Sequence, residues 1–106
     1  MNIQRYEIYL VKLNPTVGSE IQKTRPCVII SPNEMNILNT VIIAPLTSKG
    51  FDFIFRPNII FQNKKGLVLL DQIRTVDKKR LVKKLGMIEE KKAKEISKTL
   101  VEMFEY

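Results

Sequence analysis

A chain of 106 residues is long enough to bury one hydrophobic core and too short for two. Its 44% of apolar and 27% of charged residues are ordinary for a folded globular protein and exclude an intrinsically disordered one. The formal net charge of +7 indicates an anionic partner, such as nucleic acid, a membrane surface or an acidic protein segment, although a lysine-rich surface can also serve solubility alone.

The residue types that the sequence lacks limit its chemistry. It has no histidine and one cysteine, Cys27, so zinc sites, histidine-based catalysis and an internal disulfide are excluded, and Cys27 is interpreted as a small buried apolar residue. We find no glycine-rich phosphate loop and no carboxylate cluster at metal-binding spacing, and expect no cofactor. The apolar runs are far shorter than the roughly 20 residues that cross a bilayer, and no signal-peptide core is visible, which predicts a cytoplasmic protein without a membrane partner.

Short apolar segments separated by turn residues predict a chain made mainly of β-strands. The predicted strands are, in chain order, 6–13, 27–31, 40–46, 58–62, 67–72 and a weaker segment at 83–88. Pro45 predicts a sheet edge or a strand that leaves the sheet, because proline donates no ladder hydrogen bond. Asp77 is expected to cap a helical turn in VDKKRL. Strands this close together indicate an antiparallel barrel or sandwich.

The last segment alone has helical periodicity. In EEKKAKEISKTLVEMF, residues 89–104, an apolar stripe recurs at helical spacing and is expected to pack on the sheet. The stripe consists of Ala93, Ile96, Leu100, Met103 and Phe104. No repeat or linker divides the sequence, so residues 1–106 are predicted to form a single domain.

Three polar segments, 19–26, 45–50 and 69–75, lie where predicted strands begin or end. If they converge they form one site, because rigid scaffolds commonly hold functional loops at strand ends. That site would contain a guanidinium, hydroxyls, carboxylates, an amide and further cations: Arg25, Thr47, Ser48, Glu20, Asp71, Gln72, Lys23, Lys49 and Arg74. Such a set suits a phosphodiester, because a guanidinium fork matches two phosphate oxygens at any biological pH.

RNA offers a route to cleavage that needs no metal, because its own 2′-hydroxyl can attack the adjacent phosphorus when a base takes the proton. The base would be Asp71 or Glu20, with a pKa raised by partial burial, while Arg25, Thr47 and Ser48 would stabilise the developing negative charge. Each residue also has a purely structural interpretation. Arg25 could be a surface residue leading into a strand, Asp71 an acceptor for loop amides, and the two hydroxyls turn residues.

The order and spacing of the polar segments are more specific than any single residue. NPTVGSEIQKTRPCVIISP, followed by APLTSK and LLDQIRTVDKKRL, resembles the MazF/PemK (Kid) family of toxin endoribonucleases over nearly the whole sequence. The resemblance implies a mainly β fold, an SH3-like antiparallel β-barrel with a C-terminal helix, assembled as a homodimer that frames an RNA groove. It also implies sequence-specific, metal-independent cleavage of single-stranded RNA, mRNA in particular, to a 2′,3′-cyclic phosphate and a 5′-hydroxyl.

The resemblance assigns roles to individual positions. Arg25 and Thr47 match catalytic positions, and Glu20 and Asp71 match positions linked to base chemistry or substrate placement. RNA contacts are expected from Ser19, Ser48, Gln72 and Arg74, to which charge and proximity add Lys23 and Lys49. The resemblance further implies a cognate antitoxin whose extended acidic C-terminal segment occupies the groove, in agreement with the basic charge found here.

Two positions depart from the family pattern. Tyr6 stands where the family often has glycine, so we expect the local backbone or its dimer contacts to differ. Leu69 stands two residues before the aspartate of DQ, where some members carry an arginine proposed as the acid, so this chain cannot use that donor. The sequence leaves two rival functions open: a CcdB-like toxin that poisons DNA gyrase without cutting, and a generic basic SH3-like binding module.

Overall fold

A computed structural model describes residues 2–106. Within this range, seven antiparallel strands form one sheet that is followed by a helix. The elements are β1 (Glu7–Lys12), β2 (Thr24–Ile29), β3 (Thr40–Thr47), β4 (Asn58–Phe61), β5 (Lys64–Val68), β6 (Arg74–Asp77), β7 (Leu81–Met87) and α1 (Glu90–Phe104). Two single-turn 3-10 helices, Leu70–Gln72 and Lys78–Arg80, follow β5 and β6. The predicted mainly β chain with a C-terminal helix is confirmed.

The strand order is β4-β5-β3-β2-β1-β7, and β6 pairs with β3 beside this path. Strand β3 changes partner along its length, because residues 40–43 pair with β6 while Leu46 and Thr47 pair with β5. Pro45 lies between the two ladders, opposite Cys27 of β2. The prediction of an edge or departing strand is therefore wrong: β3 is central, and the missing N–H of Pro45 falls where the strand changes partner.

The sheet curls so that its two edge strands, β4 and β7, approach each other. A Cβ atom added to Gly86 of β7 would lie 3.5 Å from the Phe61 ring of β4. Alternate residues of the strands enter two separate apolar clusters, one around Val11 and Ile43 and the other around Val28. Because both clusters are buried, the central strands contain continuous apolar runs, at residues 8–11, 27–29 and 41–46, rather than alternating with polar residues.

Helix α1 packs on the second of these clusters. Ile96 is fully buried there, and Ala93, Leu100 and Met103 are partly buried against it, which confirms four positions of the predicted stripe. Phe104 is 69% exposed, so its assignment to the stripe is wrong; α1 ends at this residue. No helix within residues 2–106 is long and apolar enough to span a membrane.

The sequence prediction misses one strand and misplaces the bounds of others by up to four residues. Strand β6 is missing from it, because four residues give no usable alternation and only pairing with β3 makes them a strand. Strand β5 ends at Val68, so the predicted strand 67–72 turns into a 3-10 helix after two residues. The expected cap is confirmed, since the Asp77 carboxylate accepts a hydrogen bond from the Lys79 N–H at 2.8 Å.

Tyr6 adopts a φ of 71°, in the left-handed region that favours glycine. Its ring packs against the cluster under α1, and its hydroxyl hydrogen-bonds to the Ser97 hydroxyl of the helix. The Arg5 guanidinium lies 5.0 Å from the centroid of the ring. Tyr6 therefore keeps the backbone conformation suited to glycine, and its side chain adds a contact between the N-terminal segment and α1.

Candidate functional site

The loop between β1 and β2 carries the first polar segment and is closed at its base. The Leu13 N–H donates to the carbonyl of Lys23 at 2.9 Å, and the Asn14 Oδ1 accepts from the Lys23 N–H at 3.0 Å. From outside the loop, Arg74 donates to the Leu13 carbonyl at 3.1 Å and Arg80 donates to the Asn14 carbonyl at 2.6 Å. These bonds fix the position of the loop on the sheet.

A cleft of about 400 Å³ opens between this loop and the 3-10 helix after β5. We call it the mixed-charge cleft; its lining is Leu13, Ser19, Glu20, Ile21, Pro45, Asp71, Gln72, Ile73 and Arg74. The Gln72 Oε1 accepts from the Ile21 N–H at 2.9 Å and so joins the two sides of the cleft. Residues of the first and third polar segments therefore come together, as the sequence predicts.

Asp71 is held in an ion pair with Arg56, which comes from the loop between β3 and β4. The Arg56 Nε and Nη2 donate to the two Asp71 carboxylate oxygens at 3.0 and 2.8 Å. The hydrogen bond from Arg56 lowers the pKa of Asp71 below its ordinary value and raises that of Arg56. The expectation of an Asp71 pKa raised by burial is wrong, because the bonded guanidinium stabilises the carboxylate more than burial disfavours it.

Glu20 is bonded differently from Asp71 although it lines the same cleft. Glu20 is exposed, and one of its carboxylate oxygens accepts a hydrogen bond from the backbone N–H of Val17. In the part of the chain that the structure describes, the Glu20 carboxylate forms no ion pair with a lysine or arginine. Glu20 is therefore the carboxylate of this cleft that has one oxygen without a hydrogen bond from residues 2–106.

A second cleft, of about 170 Å³, lies beside the C-terminal end of β3. It is lined by Arg25, Pro26, Leu46, Thr47, Ser48, Ile59, Phe61, Gln62, Lys64, Lys65 and Gly66. Its charged lining residues are all cations, and we call it the basic cleft. Cys27 pairs with Pro45, and continuing that register by two residues places Arg25 across from Thr47. At Gly66 a Cβ would lie 3.1 Å from the Thr47 carbonyl, so glycine permits this close strand approach.

The basic cleft presents hydrogen-bond donors that the protein leaves largely unused. The Arg25 Nε donates to the Gln22 carbonyl at 3.2 Å, while its two Nη groups make no hydrogen bond to any residue between 2 and 106. The Thr47 Oγ1 accepts from the Lys49 N–H at 3.1 Å, which leaves the hydroxyl proton free to donate. Guanidinium, hydroxyl and ammonium donors in one cleft suit the oxygens of a phosphate.

The three polar segments thus line two clefts rather than the single site that the sequence predicts. The end of the first segment, 25–26, and residues 46–48 of the second line the basic cleft, whereas residues 19–21 of the first segment meet the third segment in the mixed-charge cleft. The two clefts adjoin along β3, since Pro45 lines one and Thr47 the other. Lys23 and Lys49, which charge and proximity add to the site, are exposed and line neither cleft.

Three cations of this region are absent from the sequence prediction. Arg56 binds Asp71, and Lys64 and Lys65 line the basic cleft. The sequence could have identified Arg56, because this residue stands directly before a proline that leads into a strand, as Arg25 does. The two lysines follow a tight turn in which Gln62 and Asn63 have positive φ, and their sequence alone resembles any solvated hairpin.

Two further residues behave as the sequence predicts. Leu69 is 1% exposed and belongs to the interior, so it offers no donor to the cleft. Cys27 is fully buried, and burial raises the pKa of its thiol to about 12. The Cys27 thiol therefore stays protonated at neutral pH and acts as an apolar side chain.

The curled sheet and the cationic cleft define a small β protein with a groove suited to an anionic chain. A model of the family described as "PemK-like, MazF-like toxin of type II toxin-antitoxin system" matches residues 4–104. The protein belongs to this family, and the resemblance seen in the sequence is confirmed.

Solved structures similar to this chain share its fold at low sequence identity. MazF from Deinococcus radiodurans (Form-I) superposes with a TM-score of 0.86 at 20% identity, over 100% of this chain and 99% of that one. The Mycobacterium tuberculosis toxin MazF-mt6 gives 0.78 at 18% identity, over 92% and 95%. An endoribonuclease in complex with its cognate antitoxin, from a mycobacterial species, gives 0.79 at 22% identity, over 94% and 92%. The predicted fold class, the MazF-like antiparallel β-barrel, is confirmed.

Proposed function

We propose that this protein is an endoribonuclease toxin that cuts single-stranded RNA, mRNA in particular, at a short recognition sequence. The observation that carries the proposal is the basic cleft, where Arg25, Thr47 and Ser48 come together with Lys64 and Lys65. Donors of this kind stabilise the charge that develops on phosphoryl oxygens during transfer. Membership of the toxin family supports the same assignment.

In the proposed reaction the ribose 2′-oxygen attacks the adjacent phosphorus and the bond from phosphorus to the 5′-oxygen breaks. The 2′-hydroxyl proton passes to the Glu20 carboxylate, which lines the adjoining cleft and has no cationic partner among residues 2–106. Arg25 and Thr47 donate to the phosphoryl oxygens, and the departing 5′-oxygen takes a proton from solvent. The products are a 2′,3′-cyclic phosphate and a 5′-hydroxyl.

Asp71 has a different proposed role from Glu20. Because it is ionised and bonded to Arg56 through both oxygens, it is a poor proton acceptor at neutral pH. We assign Asp71 to positioning: it fixes the loop between β3 and β4 beside the mixed-charge cleft. Ser19, Gln72 and Arg74 line that cleft and are proposed to contact the RNA or to shape the groove for it.

The partners follow from family membership and charge and are part of the proposal. A net charge of +7 suits both RNA and the acidic, extended C-terminal segment of a cognate antitoxin, which would compete for the same cations. We propose that the chain acts as one toxin domain, as a homodimer, on RNA in the cytoplasm.

The test is to incubate the purified protein with defined RNA and to map the new 5′ ends and their chemistry. We expect cuts at a recurring short sequence, 5′-hydroxyl products, and no cut where the attacking 2′-hydroxyl is replaced by hydrogen. Intact RNA together with inhibition of DNA gyrase would contradict the proposal and favour a toxin that acts by protein binding.

Removal of metal ions gives a second test of the same chemistry. Because the proposed nucleophile belongs to the RNA and the proposed charge stabilisation comes from Arg25, cleavage should continue at an undiminished rate in excess EDTA. The rate is measured on a fluorescently end-labelled RNA before and after chelation. Loss of cleavage that magnesium restores would contradict the mechanism.

A further inference from the structure

The loop between β3 and β4 displays three phenylalanines in a row of alternate residues, Phe51, Phe53 and Phe55. The Phe51 and Phe53 ring centroids lie 6.4 Å apart at 71°, and those of Phe53 and Phe55 lie 5.9 Å apart at 78°. These are edge-to-face contacts that hold the rings against one another. Phe51 is nevertheless 69% exposed and Phe53 is 46% exposed. These two rings therefore face solvent, and we call them the aromatic platform.

Arg56 fixes the platform to the candidate site. Its guanidinium carbon lies 5.2 Å from the centroid of Phe51 and 5.9 Å from that of Phe53, within cation–π range. The same guanidinium makes both bonds to Asp71 in the mixed-charge cleft. Gly50, with a φ of 118°, brings the loop close to Arg56, since an added Cβ would lie 3.7 Å from its Nη1. Arg56 therefore holds the Phe51 and Phe53 rings in place.

In the sequence, the aromatic platform lies between a residue that lines the basic cleft and a residue that binds the mixed-charge cleft. Ser48, the first residue after β3, lines the basic cleft, and Arg56 at the far end of the loop binds Asp71 of the mixed-charge cleft. Phe51 follows Ser48 by three residues, so its Cα lies within about 11 Å of that residue, and a nucleotide next to a phosphate bound in the basic cleft can contact the rings. Cationic grooves combined with exposed aromatic rings are typical of proteins that bind single-stranded nucleic acid, where unpaired bases stack on the rings.

We propose that Phe51 and Phe53 form a stacking site for an unpaired nucleobase of an RNA strand whose phosphate lies in the basic cleft. The proposal rests on the proposed ribonuclease function and adds to it a positioning site outside both clefts. The adjoining cleft favours a nucleobase over an apolar protein segment, because its charged lining residues are all cations and a base on the rings would be joined to a phosphate. The loop then contributes to where the enzyme cuts.

The experiment compares Phe51→Ala with Phe104→Ala, a matched control because Phe104 is also 69% exposed but lies at the end of α1. The probe is a 2′-O-methyl RNA oligonucleotide, which cannot be cut, and an abasic version of the same backbone. We expect Phe51→Ala to raise the Kd for the base-bearing probe about tenfold, the size of one lost stacking contact, and Phe51→Trp to restore it. Binding of the abasic probe should change less than about twofold, and Phe104→Ala should match wild type for both probes.

Three outcomes would overturn the inference. The first is a Phe51→Ala variant that binds the base-bearing probe as tightly as wild type. The second is an equal loss for both probes, which would show a general change in the groove. The third is unchanged RNA binding together with weakened binding of an acidic antitoxin-like peptide, which would make the platform a protein contact.

Cleavage by the wild-type protein is measured in an assay separate from this binding test. Wild-type cleavage with no effect of Phe51→Ala on base binding removes the stacking site and leaves the ribonuclease proposal intact. Base-dependent binding without any cleavage removes the ribonuclease proposal and leaves the stacking site. In a cutting enzyme, Phe51→Ala should also relax the base preference at one position near the mapped cut.

Discussion

The two clefts beside β3 differ in what their charged side chains are bonded to. In the mixed-charge cleft, Asp71 forms an ion pair with Arg56. The Gln72 Oε1 accepts a hydrogen bond from the Ile21 N–H, and Arg74 donates one to the Leu13 carbonyl. In the basic cleft, Arg25 has two free Nη groups, and neither Lys64 nor Lys65 forms an ion pair within residues 2–106. The mixed-charge cleft therefore has its carboxylate Asp71 tied into an ion pair, whereas no cation of the basic cleft has an acidic partner within residues 2–106.

The bonding of each polar side chain separates residues that support the fold from residues that can act on a substrate. Groups whose hydrogen bonds are already made hold loops in place, whereas unpaired donors on rigid strands are available to a substrate. Glu20 is the exception in the mixed-charge cleft, because its carboxylate contacts only a backbone amide. We therefore assign the chemistry to Arg25, Thr47 and Glu20, and a supporting role to Asp71 and Arg56.

The largest expected effect is on Arg25 of the basic cleft. Arg25→Ala should lower the rate of RNA cleavage by about 10²- to 10³-fold, the usual loss when one donor to a developing oxyanion is removed. Because the residue is exposed, the free energy of unfolding should change by less than about 0.5 kcal/mol. Single-turnover cleavage and urea unfolding measure the two quantities.

Lys98→Ala is the matched control for this variant, since it removes one exposed positive charge from α1, away from both clefts. It should cut RNA at the wild-type rate at moderate salt. A loss in Lys98→Ala equal to that in Arg25→Ala would show that overall charge, and not the basic cleft, determines the activity.

The next effect separates the two carboxylates of the mixed-charge cleft. Glu20→Gln should reduce kcat about a hundredfold because it removes the proposed base, whereas Asp71→Asn should reduce it less than tenfold because Asp71 acts through the loop that it holds. The reverse pattern would make Asp71 the base and contradict the assignment.

The smallest effect concerns the pH dependence of stability. The pKa of Asp71 is lowered in the folded protein, so the ion pair with Arg56 stabilises fully above the ordinary Asp value of 3.8 and is lost as the pH falls through the lower folded value. Because the pair is partly exposed, its contribution should be about 1 kcal/mol or less. Wild type should exceed Asp71→Asn in urea stability at pH 6, and the gap should close near pH 2. A gap that widens in acid would contradict the sign of the shift.

The sequence predicts most strands and the helix, because their apolar residues recur at regular spacing. The three wrong or missing predictions, for Pro45, β6 and Phe104, have physical reasons. Pro45 reads as a strand end when only its missing N–H is considered, but the exchange of partners between β6 and β5 is a tertiary event. Strand β6 owes its existence to β3 and not to its own composition. Phe104 fits the helical period, yet it is the last residue of α1 and remains exposed.

The candidate site shows the same limit at the level of single residues. Arg25, Thr47 and Glu20 could be chosen from motif and resemblance, because their positions relative to the strands are local properties of the sequence. The bonding of Asp71 could not, because its partner Arg56 lies 15 residues earlier in a separate loop and decides the direction of the pKa shift. Lys64 and Lys65 likewise join the basic cleft only when the hairpin of β4 and β5 folds against β3.

The most direct test of the basic cleft as the phosphate site is to locate the bound phosphate on the protein in solution. Titrating ¹⁵N-labelled protein with an uncleavable 2′-O-methyl RNA oligonucleotide and following the NMR spectrum reports on both clefts at once. We expect the largest shifts at the Arg25 Nε–H and at the amides of Thr47, Ser48 and Gly66. Shifts confined to Ile21 and Gln72, with the Arg25 signal unmoved, would contradict the assignment of the basic cleft as the phosphate site.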